Sequence, residues 1–143
     1  MKKILCATDH SELAQKAEVF SAHCAKAFGA ELVYAYVSHI TKKDMKAKAN
    51  RSSLAILKDF ALQEDHVLSH ARKVADEAGI PEAKYVILRS HKIALTLVEY
   101  AEEEGVDHIV VGSAVHAGFT RGVRGSVSGQ ISAGSFCPVT FVC

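Results

Sequence analysis

The sequence predicts an α/β domain of the Rossmann-like kind: a five-stranded parallel sheet in the order 3-2-1-4-5 with helices on both faces. Three observations carry that prediction. Short apolar runs alternate with longer stretches of helical periodicity from one end of the chain to the other, the pattern of strands joined by crossover helices. The runs are nearly continuous in apolar residues, as in strands buried on both sides. A chain of 143 residues that is 49% hydrophobic suits one domain, residues 1–143, whose core needs no disulfide or structural metal. The crossovers are then right-handed, and 3-2-1-4-5 is the usual order for such a sheet.

The elements follow in order. Lys3 to Thr8 (KILCAT) is a buried strand, and Leu13, Ala17, Phe20, Cys24 and Ala27 then recur at helical spacing up to Gly29. Leu32 to Val37 (LVYAYV) is the second strand. The polar stretch His39 to Ser53 leads into a long helix through Leu57, Ala61, Leu68, Ala71, Ala75 and Ala78, closed by Gly79 and Pro81. Tyr85 to Leu88 is the third strand, Ile93 to Glu104 a helix stopped by Gly105, and His108 to Val111 the fourth strand. A glycine-rich loop follows, then a short helix from Ser126 to Ser135. Pro138 to Val142 (PVTFV) is the fifth strand.

Composition narrows the function classes. A net charge of +1 offers no general attraction to nucleic acid or to an anionic membrane. No apolar run is long enough to span a bilayer, and Asp9, His10 and Glu12 interrupt what would otherwise start like a signal peptide. A cytoplasmic protein is expected. The four cysteines, Cys6, Cys24, Cys137 and Cys143, form no C-x-x-C pair and read as small buried hydrophobes, with Cys143 the most oxidisable.

In an open parallel sheet, ligands bind beyond the carboxyl ends of the strands where the strand order reverses. Two segments fall there: Ala7-Thr8-Asp9-His10-Ser11 after strand one, and Gly112 to Ser128 after strand four. The second holds Gly112, Gly118, Gly122 and Gly125, with Arg121 and Arg124 among them and Ser126 and Ser128 at a helix start. Glycines let backbone approach a ligand, and a helix N-terminus presents unpaired N–H groups at the positive end of its dipole. That combination suits phosphate, with Arg121 and Arg124 as further phosphate contacts. Neither G-x-G-x-x-G after strand one nor G-x-x-x-x-G-K-[ST] occurs, which argues against a dinucleotide fold of the usual kind and excludes a P-loop NTPase.

Other candidates read as ordinary surface. His10, His39 and His116 fall in carboxyl-end loops and suit solvated positions better than a zinc site, since no H-E-x-x-H or His/Cys cluster accompanies them. Lys42, Lys43, Lys46, Lys48 and Arg51 form a basic run, read as a solvated face. Ser11, Ser126 and Ser128 lack the paired histidine and carboxylate that a nucleophile needs.

The segment after strand four resembles that of the universal stress protein family. ATP-binding members carry Gly, two residues, Gly, nine residues, then Gly-[ST]; this chain reads Gly112, Ser113-Ala114, Val115, nine residues, Gly125-Ser126. VEYAEEEGVDHIVVGS, SFCPVTFV and ATDHSELAQKAEVFSAHCAKAFGAEL are also similar to that family, so the resemblance spans nearly the whole chain. It implies ATP or AMP as ligand, with Mg or Mn as the cation that would accompany it. It places Asp9 near adenine or ribose beside the backbone of Ala7 and Thr8, and Val37 against adenine. Gly112 and position 115 then lie along the ribose and α-phosphate, and Gly125, Ser126, Val127 and Ser128 at the phosphates. It also implies a homodimer through Pro138–Val142, a strand without a charged residue.

Val115 departs from the pattern. A β-branched side chain disfavours positive φ and fills space that glycine leaves open. Two outcomes stay open: the substitution abolishes ATP binding, or it shifts the loop while Gly118 and Gly122 restore freedom. The first reading is accordingly a nucleotide-binding regulatory protein with at most slow ATP hydrolysis, since no general base is evident. The alternative is a stress protein that binds no nucleotide and acts as a dimeric interaction module.

Overall fold

Strand residues alternate between two apolar layers, and this alternation sets the architecture. The computed structural model describes residues 1–41, 43, 53–113 and 127–143, with side chains throughout except at 53–65. Its parallel strands are β1 (Lys3–Ala7), β2 (Glu31–His39), β3 (Lys84–Ser90), β4 (His108–Gly112) and β5 (Val139–Val142). They lie in the order β3-β2-β1-β4-β5, as the sequence predicts. Among the described residues four helices cover the sheet: α1 (Glu12–Phe28), α2 (Ser53–Ala78), α3 (Ile93–Glu103) and α4 (Val127–Gly134).

Ile4, Cys6, Leu32, Tyr34 and Val110 face one way, into a layer closed by Ala17, Ala22 and Ala25 of α1 and Leu68, Ala71 and Ala75 of α2. Leu5, Val33, Ala35, Val37, Ile109 and Val111 face the other way, against Ala94, Leu97, Val98 and Ala101 of α3 and Ile131 of α4. Alanines on α1 and α2 let those helices lie close to the sheet, and burying this apolar surface is the main stabilising term. Burial also pushes the Cys6 thiol up to about 12, so it behaves as the inert hydrophobe expected. Cys143 is the exposed cysteine, and all four are free thiols.

Local chemistry explains the boundaries that matter. Ser11 caps α1 by accepting from the Ala14 N–H at 3.2 Å, and Gly29 ends that helix in the left-handed region at φ 63°. β2 extends to His39, beyond the Val37 expected, because β3 pairs with it as far as His39↔Ser90. β1 stops earlier, with Ala7↔Ala35 as its last pair. That difference in length leaves room at the carboxyl side of the sheet.

β5 is an edge strand. The Ile109 N–H donates to Pro138 O at 3.0 Å, and the Ser113 N–H donates to Val142 O at 2.8 Å. Residues 138, 140 and 142 therefore turn their peptide groups towards β4, and Val139 and Phe141 turn theirs outwards. No described helix is long and apolar enough to cross a membrane.

Candidate functional site

A cavity of about 210 Å³ opens at the carboxyl ends of β1, β2 and β4, where the strand order reverses. Ala7, Ala35, Val37, Val111, Leu97 and Ile131 make its apolar part, and these belong to the α3/α4 layer of the core. Asp9, Ser11, Ser113 and Ser128 supply its polar side chains, and Thr8 also lines it. Three helix N-termini converge on it, through Ser11 and Ala14 of α1, Ile93 of α3, and Val127 and Ser128 of α4. Their N–H groups and dipoles favour a ligand with negative charge.

The geometry of the β1–α1 turn is specific. The Asp9 carboxylate accepts the Ser11 N–H at 3.0 Å, which holds Asp9 at the cavity wall. Asp9 is the one charged side chain among the described lining residues. Thr8 is buried, and its N–H donates to Ala35 O at 2.9 Å. Its hydroxyl turns away from the cavity and donates to the Glu18 carboxylate. Since Ala35 directs its carbonyl at β1, strand alternation sends the peptide groups of Val37 the same way, past the last paired residue of β1.

On the opposite wall, the Ser113 and Ser128 hydroxyls lie 3.2 Å apart, joining the end of β4 to the first turn of α4. Gly112 lines the cavity and also packs against α1. A Cβ there would sit 2.5 Å from the Leu13 carbonyl carbon, 2.6 Å from its oxygen and 2.7 Å from the Ala14 nitrogen. Its lack of a side chain is therefore demanded by backbone packing, whatever the ligand.

Of the residues singled out in the sequence, Ala7, Thr8, Asp9, Val37, Gly112, Val127 and Ser128 all line this one cavity. Val115, Arg121, Arg124, Gly125 and Ser126 lie outside the described residues, as do Gly118, Gly122 and His116. Of the basic run, only Lys43 is described. The sequence reading missed Ala35, Ile93, Leu97 and Ile131. Ile93 and Leu97 stand four apart in the first turns of a helix that starts at a strand's carboxyl end, which was the available signal. No group of three or more metal-ligating side chains gathers among the described residues.

The model of the universal stress protein family matches residues 1–142 of this chain. The universal stress protein YxiE of Bacillus subtilis is 28% identical over 149 aligned positions, which span 98% of this chain and 97% of that protein. Among solved structures, the universal stress protein from Archaeoglobus fulgidus in complex with dAMP has a TM-score of 0.70 at 19% identity, covering 100% of this chain and 98% of its own. A universal stress protein in complex with cAMP has a TM-score of 0.69 at 22% identity, covering 99% of this chain and 96% of its own. At such identities these two likenesses establish a shared fold.

Proposed function

The chain belongs to the universal stress protein family, and we propose that it binds an adenine nucleotide, ATP or AMP, in the cavity at the carboxyl ends of β1 and β4. The observation that carries this reading is the pairing of an apolar slot with Asp9 and three helix N-termini at the switch point of the sheet. A purine fits between Val37, Val111 and Ile131, with the outward peptide groups of Val37 in reach of its ring edge. The Asp9 carboxylate suits the two hydroxyls of a ribose, which donate where it accepts. Phosphates then extend towards Ser128 and the start of α4, and on to Gly125, Ser126, Arg121 and Arg124, with Mg or Mn as counter-cation. The fold relatives crystallised with dAMP and cAMP support an adenosine-bearing ligand.

Asp9 already accepts the Ser11 N–H, which favours a holding role over that of a general base. The reading is therefore of a regulatory, ligand-binding protein of the cytoplasm, a compartment that suits its four free thiols. It acts as a homodimer through Pro138–Val142, since β5 is an edge strand with outward peptide groups and no charged side chain to protect it.

Mass spectrometry of the purified protein should detect co-purifying nucleotide, and calorimetry should rank AMP and ATP above NADH. Asp9→Ala should raise Kd about tenfold or more, the loss of a charge-assisted hydrogen-bond acceptor. No heat and no thermal shift with millimolar ATP and AMP would exclude this reading and leave the dimeric interaction module.

A further inference from the structure

Both neighbours of Asp9 connect to one face of α2, His10 directly and Thr8 through Glu18 of α1. On the N-terminal side, Thr8 donates its hydroxyl to Glu18, whose side chain has no exposure at all. The other Glu18 oxygen pairs with Nδ1 of His70 on α2. On the C-terminal side, the His10 ring meets the ring of His66 on α2, with centroids 4.9 Å apart and planes tilted by 48°. His66 and His70 stand one helical turn apart and so share a face of that helix.

Two features of this arrangement have an energetic penalty. Glu18 is fully buried in a mostly apolar layer, tolerable because the Thr8 hydroxyl and the His70 imidazole meet its two oxygens. His10, at φ 67°, is the one described residue other than glycine in the left-handed region. Strain of that kind persists where the surroundings hold it, and it concentrates at functional sites. Here it sits between Asp9 at the cavity wall and Ser11, the cap of α1.

We infer that Glu18, His66 and His70 form a clamp behind the Asp9 turn, acting as positioning residues for the ligand site from the face of the sheet opposite to it. The inference rests on the nucleotide-binding reading for its consequence, but the clamp itself is a property of the unliganded turn. None of the three side chains lines the cavity. Thr8–Glu18–His70 sets where the turn leaves β1, and His10–His66 holds the left-handed residue that delivers Asp9 and then Ser11. Through the same contacts the coupling is reciprocal: a ligand that fixes Asp9 also steadies α2 around His66 and His70.

The test uses His66→Ala, at an exposed position, with Glu18→Gln, His10→Gly and the double variant His10→Gly/His66→Ala. Exchange of the Ser11 amide, which Asp9 accepts, is followed by NMR without ligand, and AMP and ATP are titrated by calorimetry. His66→Ala and Glu18→Gln should each speed Ser11 exchange and raise Kd roughly three- to tenfold, the range of a modest coupling energy. In the His10→Gly background, His66→Ala should add nothing, since its partner ring is gone. Ser11 exchange at the wild-type rate in His66→Ala overturns the clamp, as does an equal loss in both backgrounds. Faster exchange with unchanged Kd overturns its role in positioning. If AMP and ATP do not bind the wild type, the nucleotide reading falls, and Ser11 exchange still decides the clamp.

Discussion

Replacing Gly112 by alanine separates a packing role from a ligand role at one atom. The new Cβ would meet Leu13 and Ala14 backbone at 2.5–2.7 Å, where ordinary contact begins at 3.4 Å. Both obstructing residues stand in the capped first turn of α1, whose backbone cannot rotate away like a side chain. The end of β4 and the start of α1 must therefore separate by nearly an ångström. Overpacking of this kind destabilises by about 1–3 kcal/mol, and backbone-on-backbone contact argues for the upper half, about 2–3 kcal/mol. Unfolding entropy near 2.1 cal/mol/K per residue gives roughly 300 cal/mol/K for 143 residues, so each kcal/mol lowers Tm by about 3 °C. Gly112→Ala should then melt about 6–10 °C below the wild type in calorimetric scans without any ligand. A melting temperature within 2 °C of the wild type would refute the packing argument and return Gly112 to a ligand-contact role alone.

Two further tests follow from the fold. Burial alone would raise the pKa of Asp107, but the N–H groups of Lys2 at 2.8 Å and Lys3 at 3.2 Å outweigh it and hold the carboxyl below its usual range. A carboxylate with a depressed folded pKa stabilises above its unfolded value near 3.9 and loses that contribution as pH falls through the folded one. The wild type should therefore exceed Asp107→Asn in urea stability by a small, constant margin from pH 7 to 5, shrinking below about pH 4; parallel curves down to pH 2.5 would contradict this. Light scattering should give the mass of two chains at micromolar concentration, and Val139→Pro, which removes an N–H facing outwards from β5, should shift dissociation to higher concentration. A wild-type mass of one chain across that range would defeat the dimer.

Much of the molecule is legible in the sequence, because each element is coded locally. Val, Ile and Leu runs bounded by polar residues marked the strands, and helical spacing with Gly29 and Gly105 marked where two helices stop. The family signature needed only short-range spacing, as in Gly112 with Gly125-Ser126. Strand ends were less legible: β2 runs on to His39 because β3 supports it there, and no local signal reports a neighbour.

The candidate site divides along the same line. Asp9 and Gly112 could be named from the sequence because they stand at the ends of the first and fourth apolar runs, where an open parallel sheet gathers its ligands, and Val37 followed from the family resemblance. Ala35, Leu97 and Ile131 could not, since their sequence pattern says only that they are buried; which buried residues face a cavity depends on layers that come together from distant segments. The physical reason for Gly112 was likewise hidden, because it lies in the backbone of α1, a hundred residues away along the chain. The grip of His66 and His70 on the Asp9 turn is tertiary in the same sense. In the sequence only His66 and His70, one helical turn apart, share a spacing, and nothing there ties them to His10 or Glu18. Only the packing of α2 against α1 brings two imidazoles and a buried carboxylate behind one turn, because helix docking is set by the apolar faces while polar partners are met where those faces happen to meet.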